Sequence, residues 1–399
     1  MINLLVAKNI LSFRDLLHVE LGSATAILGK NGAGKTNILK LIRVLKRLAT
    51  NDFSNVQALA KTYEYRFKDE SLPILLGASF NLGEANYEIL FKFSQLEGFI
   101  SQQLNYVSKS KTDIKKTCLF DSSSNDFHSL TSIEYERLKT YIWSKESILH
   151  ILATQFELAD RDFQNHIRAV SEFFIESINT AVPDLQNAAG RVYNNEALKD
   201  RILKVFTAMD FCITDIQIEK RTSALLLRDS SETIDSDQVP TKSTANYRFQ
   251  FEHKNKYWLP SNFESAGILK LFRILSVLLD EKNEGEIWLF DELENSLHEE
   301  IYQILPLLVK DRAQGQIIFT SHNTSLLDKK ILTKKQVVIV RSECGEFSDV
   351  ISLNDFTDLR NDSRSNWQRW YRQNRFGGYP EINLNQIIDK DLNEDQNHE

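Results

Sequence analysis

Eight consecutive residues carry the strongest chemical signal in the chain: Gly29-Lys30-Asn31-Gly32-Ala33-Gly34-Lys35-Thr36. They match the GxxxxGK[ST] pattern of a phosphate-binding loop. Its glycines let backbone N–H groups turn inward around phosphate oxygens, at the positive end of the helix that follows. Lys35 is placed to reach the β- and γ-phosphates of a nucleotide, and the Thr36 hydroxyl to take a Mg²⁺ position. Asn37 completes the candidate binding set. With glycine at about 7% of residues, the odds of a chance match are about 1%. A plain tight turn is therefore a poor account of the segment. Lys35 is expected to face solvent while no nucleotide is bound.

Two further runs end in reactive side chains. Glu286-Ile287-Trp288-Leu289-Phe290-Asp291-Glu292 reads as a buried strand that finishes in two carboxylates. Four apolar residues in a row suit a parallel strand covered on both faces. Asp291 then emerges at the carboxyl end, where α/β sheets place ligands, and can hold Mg²⁺ through water. Glu292 follows, placed to activate an attacking water. Ile317-Ile318-Phe319-Thr320-Ser321-His322 is a second apolar strand with a polar end. A lone histidine is usually a surface residue; at the end of a second buried strand, His322 is better explained as a γ-phosphate sensor.

These groups need strands and helices to position them. Leu4 to Ala7, Leu17 to Leu21 and Ala24 to Leu28 read as short strands before the loop. Ile38, Leu41, Ile42, Leu45 and Leu48 then recur at helical spacing. Residues 50–130 are mostly β in pattern, with Ala78 to Leu82 and Tyr87 to Phe93 joined by a Gly83-Glu84-Ala85 turn. Residues 131–212 become helical. Phe163, Ile167, Val170, Phe174 and Ile178 share one face, and Leu198, Ile202, Val205, Phe206 and Met209 another. Strands return after 212, with Tyr247, Phe249 and Phe251 alternating with polar residues. Asp229 to Ala245 reads as a flexible loop, and Asp389 to Glu399 as a disordered acidic tail.

Composition narrows the class. The chain has 399 residues, 42% hydrophobic and 26% charged, ordinary for a globular protein. Its apolar runs are far too short to cross a bilayer. The N-terminus lacks the basic and small-residue features of a secretory signal. Three widely spaced cysteines suit neither a disulfide framework nor a zinc site. A cytoplasmic, membrane-free protein is expected. The net charge of −7 argues against a DNA-coating surface. Lys109, Lys111, Lys115 and Lys116, and the helical trio Lys40, Arg43 and Arg47, read as solvated surface, with a local nucleic-acid contact as the alternative.

The order of these motifs resembles the ABC-type ATPases of the SMC/RecF/OLD group. In that group a signature motif lies a short helix ahead of the carboxylate strand. Glu264-Ser265-Ala266-Gly267-Ile268-Leu269-Lys270 occupies that place and is similar to the ESxGT variant of defence-associated ATPases, with Ile268 where Thr is frequent. The resemblance implies that Ser265 and Gly267 bind the γ-phosphate held by a second copy. As residues alone, they are better read as an ordinary serine helix cap. It further implies that Asn295-Ser296-Leu297-His298 is the D-loop and His322 the switch histidine. Gln102 and Gln103 are available as a Q-loop, without a specific pattern around them.

Asp358-Leu359-Arg360-Asn361, Trp370-Tyr371 and Arg375-Phe376-Gly377-Gly378-Tyr379-Pro380 resemble the ending of ATPase subunits from two-gene abortive-infection and anti-phage systems. These are the Rlo-type proteins and the related PARIS, Septu and retron-associated ATPases. Asn374 stands where that ending usually has glycine. The implied fold is an α/β, ABC-type P-loop ATPase head with a mixed sheet and a mainly helical insertion. Its divisions are 1–130 with the P-loop and a β-rich segment, 131–212 as the insertion, 213–355 with signature, carboxylate strand and histidine, and 356–399 as a C-terminal segment. The implied activity is hydrolysis of Mg·ATP by a homodimer that controls an effector, commonly a nuclease, encoded next door. The segment after His322 shows no acidic metal cluster of the kind an OLD-type nuclease domain carries. The helical insertion and the aromatics Trp367, Trp370 and Tyr371 are candidate docking surfaces for that partner, or else pack on their own domain. A RecF-like DNA-repair ATPase is the competing reading.

Overall fold

The computed structural model describes residues 1–65, 72–109, 114–127, 129–142, 145–180, 182–225, 242–281, 285–310, 315–343, 346–359 and 366–380. The chain divides into two compact units. One comprises Ile2–Ser171 with Thr320–Glu399, the other Met1 with Glu172–Phe319.

The first unit opens with β1 (Ile2–Lys8), β2 (Leu17–Glu20) and β3 (Ala24–Leu28), the last buried at all five positions. Helix α1 (Lys35–Thr50) buries Ile38, Leu41, Ile42, Leu45 and Leu48, the stripe that its periodicity predicts. It stops at Asn51, whose left-handed backbone returns an N–H to the Arg47 carbonyl. Helix α2 (Val56–Tyr63) falls in the stretch expected to be mostly β. Its signal is local: the Asn55 side chain caps the first turn, and Val56, Leu59 and Ala60 make a short apolar face.

β4 (Ile74–Leu82), β5 (Ala85–Ser94), β6 (Gly98–Lys109) and β7 (Ile114–Asp121) follow. With the first two strands they form an antiparallel sheet of order β2-β1-β4-β5-β6-β7. The β4–β5 hairpin turns at Gly83, whose φ of 58° is the left-handed conformation glycine adopts without a side-chain clash. Three helices, α3 (Ser132–Ile142), α4 (Ile148–Gln155) and α5 (Arg161–Glu172), begin the helical stretch.

The α5 stripe does not run to Ile178 as one helix. A π-helical turn spans Phe173–Ser177, and Ile178 belongs to the two-residue strand β8 (Ile178–Asn179). In the second unit, α6 (Leu185–Tyr193) and α7 (Glu196–Ala208) precede β9 (Ile213–Leu225), β10 (Lys242–His253) and β11 (Tyr257–Pro260). These three strands form an antiparallel sheet of order β11-β10-β9. Most of the expected loop from Asp229 lies outside the described residues, but Lys242 to Ala245 are strand rather than loop. Helix α8 (Ala266–Leu278), β12 (Glu286–Phe290), α9 (Glu299–Lys310) and β13 (Gly315–Thr320) complete the unit. β12 runs parallel to both β13 and β8, which explains its continuous apolar run.

The chain then returns to the first unit. β14 (Val337–Glu343) pairs in parallel with β3 and antiparallel with β15 (Phe347–Ser352), and helix α10 (Trp367–Arg372) follows. The architecture is thus mixed α/β, as expected, with α3 to α7 filling the stretch read as helical. Among the described residues no helix is long and apolar enough to cross a membrane. The acidic tail lies outside the described residues.

Candidate nucleotide site

β3 delivers the chain into the glycine loop, and the loop into α1. Gly29, Gly32 and Gly34 all have positive φ, at 152°, 75° and 103°. Two of these positions are also sterically closed. A Cβ on Gly29 would lie 2.4 Å from the Val340 carbonyl oxygen of β14, and one on Gly34 would lie 2.3 Å from Ser348 Oγ of β15. The loop is therefore pressed onto strands that the sequence reading did not connect with it. Ser348 Oγ donates to the Ala33 carbonyl at 2.6 Å and meets Ser12 Oγ at 2.7 Å. The amide of Asn37, read as part of the binding set, is turned away to donate to Ser12 Oγ at 2.8 Å.

α1 begins without a side-chain cap, and its first turn holds no acidic residue. A sixteen-residue helix whose N-cap residue, Gly34, has no side chain to cap it presents the positive end of its dipole at this loop, where an anion is favoured. Asn31 and Gly32 are exposed at the mouth of the loop, Lys30, Gly34 and Thr36 are half-buried, and Ala33 is buried.

Lys35 is the departure from expectation. Instead of facing solvent, its side chain is drawn inside, leaving the residue 6% exposed. Its Nζ donates to the carbonyls of Gly29 at 2.9 Å and Lys30 at 3.1 Å, and reaches Nδ1 of His322 at 3.1 Å. The ammonium is strongly solvated in water and finds substitute acceptors in the loop's own backbone. The structure thus brings together the two candidates Lys35 and His322, which are separated by 287 positions.

His322 stands in a frame of its neighbours. The Ser321 N–H donates to the Ile27 carbonyl of β3 at 3.0 Å, while Ser321 Oγ accepts from the N–H of Asn323 at 3.0 Å. Asn323 Oδ1 in turn accepts from the N–H of Ser325, starting a 3₁₀ turn over Thr324–Leu327. The buried Ser321 and the capping Asn323 hold the exposed His322 at the strand end. Ser321 belongs to the polar strand end read from the sequence; Asn323 does not, although a Ser-x-Asn step after an apolar strand is a recognisable turn signal.

The other candidates lie in the second unit. Asp291 emerges exposed at the end of β12, whose Ile287 to Phe290 are buried. Glu292 is half-buried with φ 50°, a left-handed conformation uncommon for a residue with a side chain. Its carboxylate accepts from Nδ2 of Asn295 at 2.5 Å. Ser265 caps α8, its Oγ accepting from the N–H of Ile268 at 3.3 Å, so the helix-cap role is present. Glu264 accepts from the Ser265 N–H and from His253 Nε2, at 2.8 and 2.9 Å. Gly267 is required by close approach: a Cβ there would lie 2.7 Å from the Ser296 carbonyl oxygen. The start of α8 and the Asn295-Ser296 segment thus touch. Lys270, the last residue of the signature-like run and given no role by the sequence, donates to the carbonyls of Glu292, Leu293 and Asn295. Burial lowers its pKa below the ordinary lysine value.

Gln102 and Gln103 are structural. Gln102 joins β6 to the start of α4 through the Glu146 carbonyl and the Ile148 N–H, and Gln103 binds Asp121. The C-terminal aromatics pack on their own unit, with Trp367 and Tyr371 almost wholly buried. Trp370 is half-buried beneath the Arg375 guanidinium.

Residues 24–328, well over half of the chain, match the family model described as "AAA domain, putative AbiEii toxin, Type IV TA system". The chain belongs to this AAA family. That places it among nucleotide-binding ATPases and links it to abortive-infection and toxin–antitoxin proteins. Solved structures with remote likeness include the SMC head domain from Thermotoga maritima, at 14% identity over 88% of this chain and 98% of that one, with a TM-score of 0.43. Another is the Smc head of Pyrococcus furiosus with an extended coiled coil, bound to the C-terminal domain of ScpA. It has 14% identity, coverage of 88% and 96%, and a TM-score of 0.46. No curated protein matches the chain.

Proposed function

We propose that this AAA protein is the ATP-hydrolysing switch of a two-gene anti-phage defence system, acting as a homodimer on a separate effector, a nuclease encoded by the adjacent gene. The observation that carries the catalytic half of this reading is the Lys35 arrangement: an ammonium held inside a glycine loop, against His322, at an uncapped helix terminus. Lys35 can leave the two loop carbonyls for phosphate oxygens when nucleotide enters, and His322 is then beside the terminal phosphate.

Each remaining residue takes a stated role. Backbone N–H groups from Gly29 to Thr36 hold the phosphates. Thr36 and Asp291 supply oxygen donors of the kind Mg²⁺ prefers, and the bound ion would offset charge on the phosphates. Glu292, steadied by Asn295, draws the proton from the attacking water. Ser265 and Gly267 face the nucleotide of the second copy. The defence half rests on the family's abortive-infection link and on the C-terminal motif.

The test has two arms. Glu292→Gln should retain ATP binding while slowing turnover by at least about 100-fold, since that is the scale of a lost general base. Undiminished hydrolysis would remove Glu292 from that role. Cells carrying this gene, its neighbour, or both are then challenged with phage. Protection only from the pair, with co-purification of the products, is expected; full protection from this gene alone would place the effector within the chain. ATPase activity switched on by DNA alone would favour the RecF-like reading.

A further inference from the structure

The C-terminal helix α10 touches the segment that carries His322. Gln368 Nε2 and Arg372 Nη2, one helical turn apart, both donate to Oγ1 of Thr324, at 3.2 and 3.3 Å. Thr324 opens the 3₁₀ turn that follows the histidine, and two positions separate it from the ring that receives the Lys35 ammonium. The helix itself is fixed. Asn366 caps it by accepting from the N–H of Arg369, Trp367 and Tyr371 are buried, and the Tyr371 hydroxyl donates to the Gly378 carbonyl at 2.8 Å.

The segment after α10 is seated on the strand that also backs the glycine loop. A Cβ on Gly378 would lie 2.5 Å from Cγ2 of Ile339, and one on Gly377 would lie 2.8 Å from Cδ of Arg341. Between them in β14 is Val340, whose carbonyl closes on Gly29. The C-terminal segment therefore contacts the surroundings of both members of the Lys35–His322 pair, one through Thr324 and the other through β14.

We propose that Thr324, gripped by Gln368 and Arg372, is a positioning residue for His322, through which the C-terminal segment sets the histidine's alignment with Lys35. This rests on the ATPase reading above. A hydroxyl with two donors aimed at it is a fixed acceptor, and a turn anchored there cannot shift the strand end without breaking both bonds. The segment that sequence resemblance marks as characteristic of defence ATPases thereby gains a mechanical task inside its own unit.

Thr324→Val keeps the shape and removes the acceptor. With ATP as the probe, kcat should fall by about five- to tenfold, the scale of one or two lost hydrogen bonds, while KM moves by less than about twofold. Thr324→Ser should restore the wild-type rate. In a His322→Ala background, Thr324→Val should cause no further loss, because its effect passes through the ring; a merely structural role would add its own loss. Unchanged kcat in Thr324→Val, or full additivity with His322→Ala, would overturn the proposal. A parallel readout does not need turnover: the His322 imidazole ¹⁵N resonances of the nucleotide-free protein should shift in Thr324→Val and return in Thr324→Ser. If the wild type hydrolyses no ATP, the ATPase reading fails. The resonances then still decide the positioning role, a shift supporting it and none refuting it.

Discussion

Lys270, one turn into α8, donates to the carbonyl oxygen of Asn295 at 2.6 Å, just beyond the end of β12. The carbonyls of Leu293 and Glu292 accept from the same ammonium at 3.0 and 3.2 Å. One positive charge thus gathers three carbonyls from a turn whose first residues run through a left-handed Glu292. The helix that begins with the signature segment and the turn that bears the candidate base are joined by this side chain.

Lys270→Met should loosen that turn. The carbonyls left behind can reach water, so the cost in stability is modest, about 1–2 kcal/mol by urea unfolding. Turnover should suffer more than stability, because Glu292 loses its fixed backbone. Lys270→Arg, which keeps the charge, should recover part of the rate. Equal kcat in Lys270→Met and wild type would show that the turn holds itself.

Gly267→Ala tests the adjoining contact from the opposite direction. A methyl at this position would stand 2.7 Å from the backbone oxygen of Ser296, which cannot rotate away as a side chain could. Either α8 or the Asn295-Ser296 segment must move, at a cost of about 1–3 kcal/mol typical of overpacking. A crystal structure of the variant should show the displacement at 295–296, and a lowered melting temperature should accompany it. A variant as stable as wild type would mean that the helix and the 295–296 segment can part without cost.

The chemistry-bearing residues were legible because their motifs are local. Gly29 to Thr36 names itself by type and spacing, and the β12 and β13 carboxyl ends follow from uninterrupted apolar runs. What was not legible is what those motifs lean on. Val340 and Ser348 close on the glycine loop from strands more than 300 positions later, and nothing in their own neighbourhood marks them. Lys35 lies inside rather than in solvent because loop carbonyls, invisible in a linear pattern, replace the water that a lysine prefers. Helix α2 was missed because a single turn-starting asparagine and eight residues fall below the length at which periodicity is persuasive. The α5 stripe was extended too far, since a π-helical turn preserves apolar content while changing the register.

Glu286, at the start of β12, offers a pH test. Burial raises its carboxyl pKa above the ordinary value, and Asp280 adds to the rise, while Arg191, Trp288 and Asn179 oppose it. A carboxyl whose folded pKa is raised binds its proton more tightly in the folded state. Its stabilising contribution is present below the ordinary carboxylate range and is lost as pH rises through the folded value. Glu286→Gln should therefore raise the melting temperature at neutral pH, because the amide carries no charge to desolvate and still accepts from Asn179. The gap should close as pH falls toward the ordinary glutamate value. A gap that widens on acidification would mean that Arg191 dominates and that the carboxylate is favoured in place.

The Lys35–His322 pair allows a measurement without any nucleotide. Lys35→Ala is expected to abolish ATP binding, as for any loss of the loop's cation. Because the ammonium also serves the Gly29 and Lys30 carbonyls, the nucleotide-free protein should itself lose about 1–3 kcal/mol. His322→Ala leaves the two loop carbonyls in place and should cost less, with ATP affinity largely kept. If the 3.1 Å contact is energetically real, the two changes are not additive. Residues in direct contact show coupling of about 0.5–3 kcal/mol in a double-mutant cycle, against a few tenths for independent sites. Chemical unfolding of wild type, both single variants and the double variant gives that coupling directly. Strict additivity would mean that His322 meets Lys35 only by proximity.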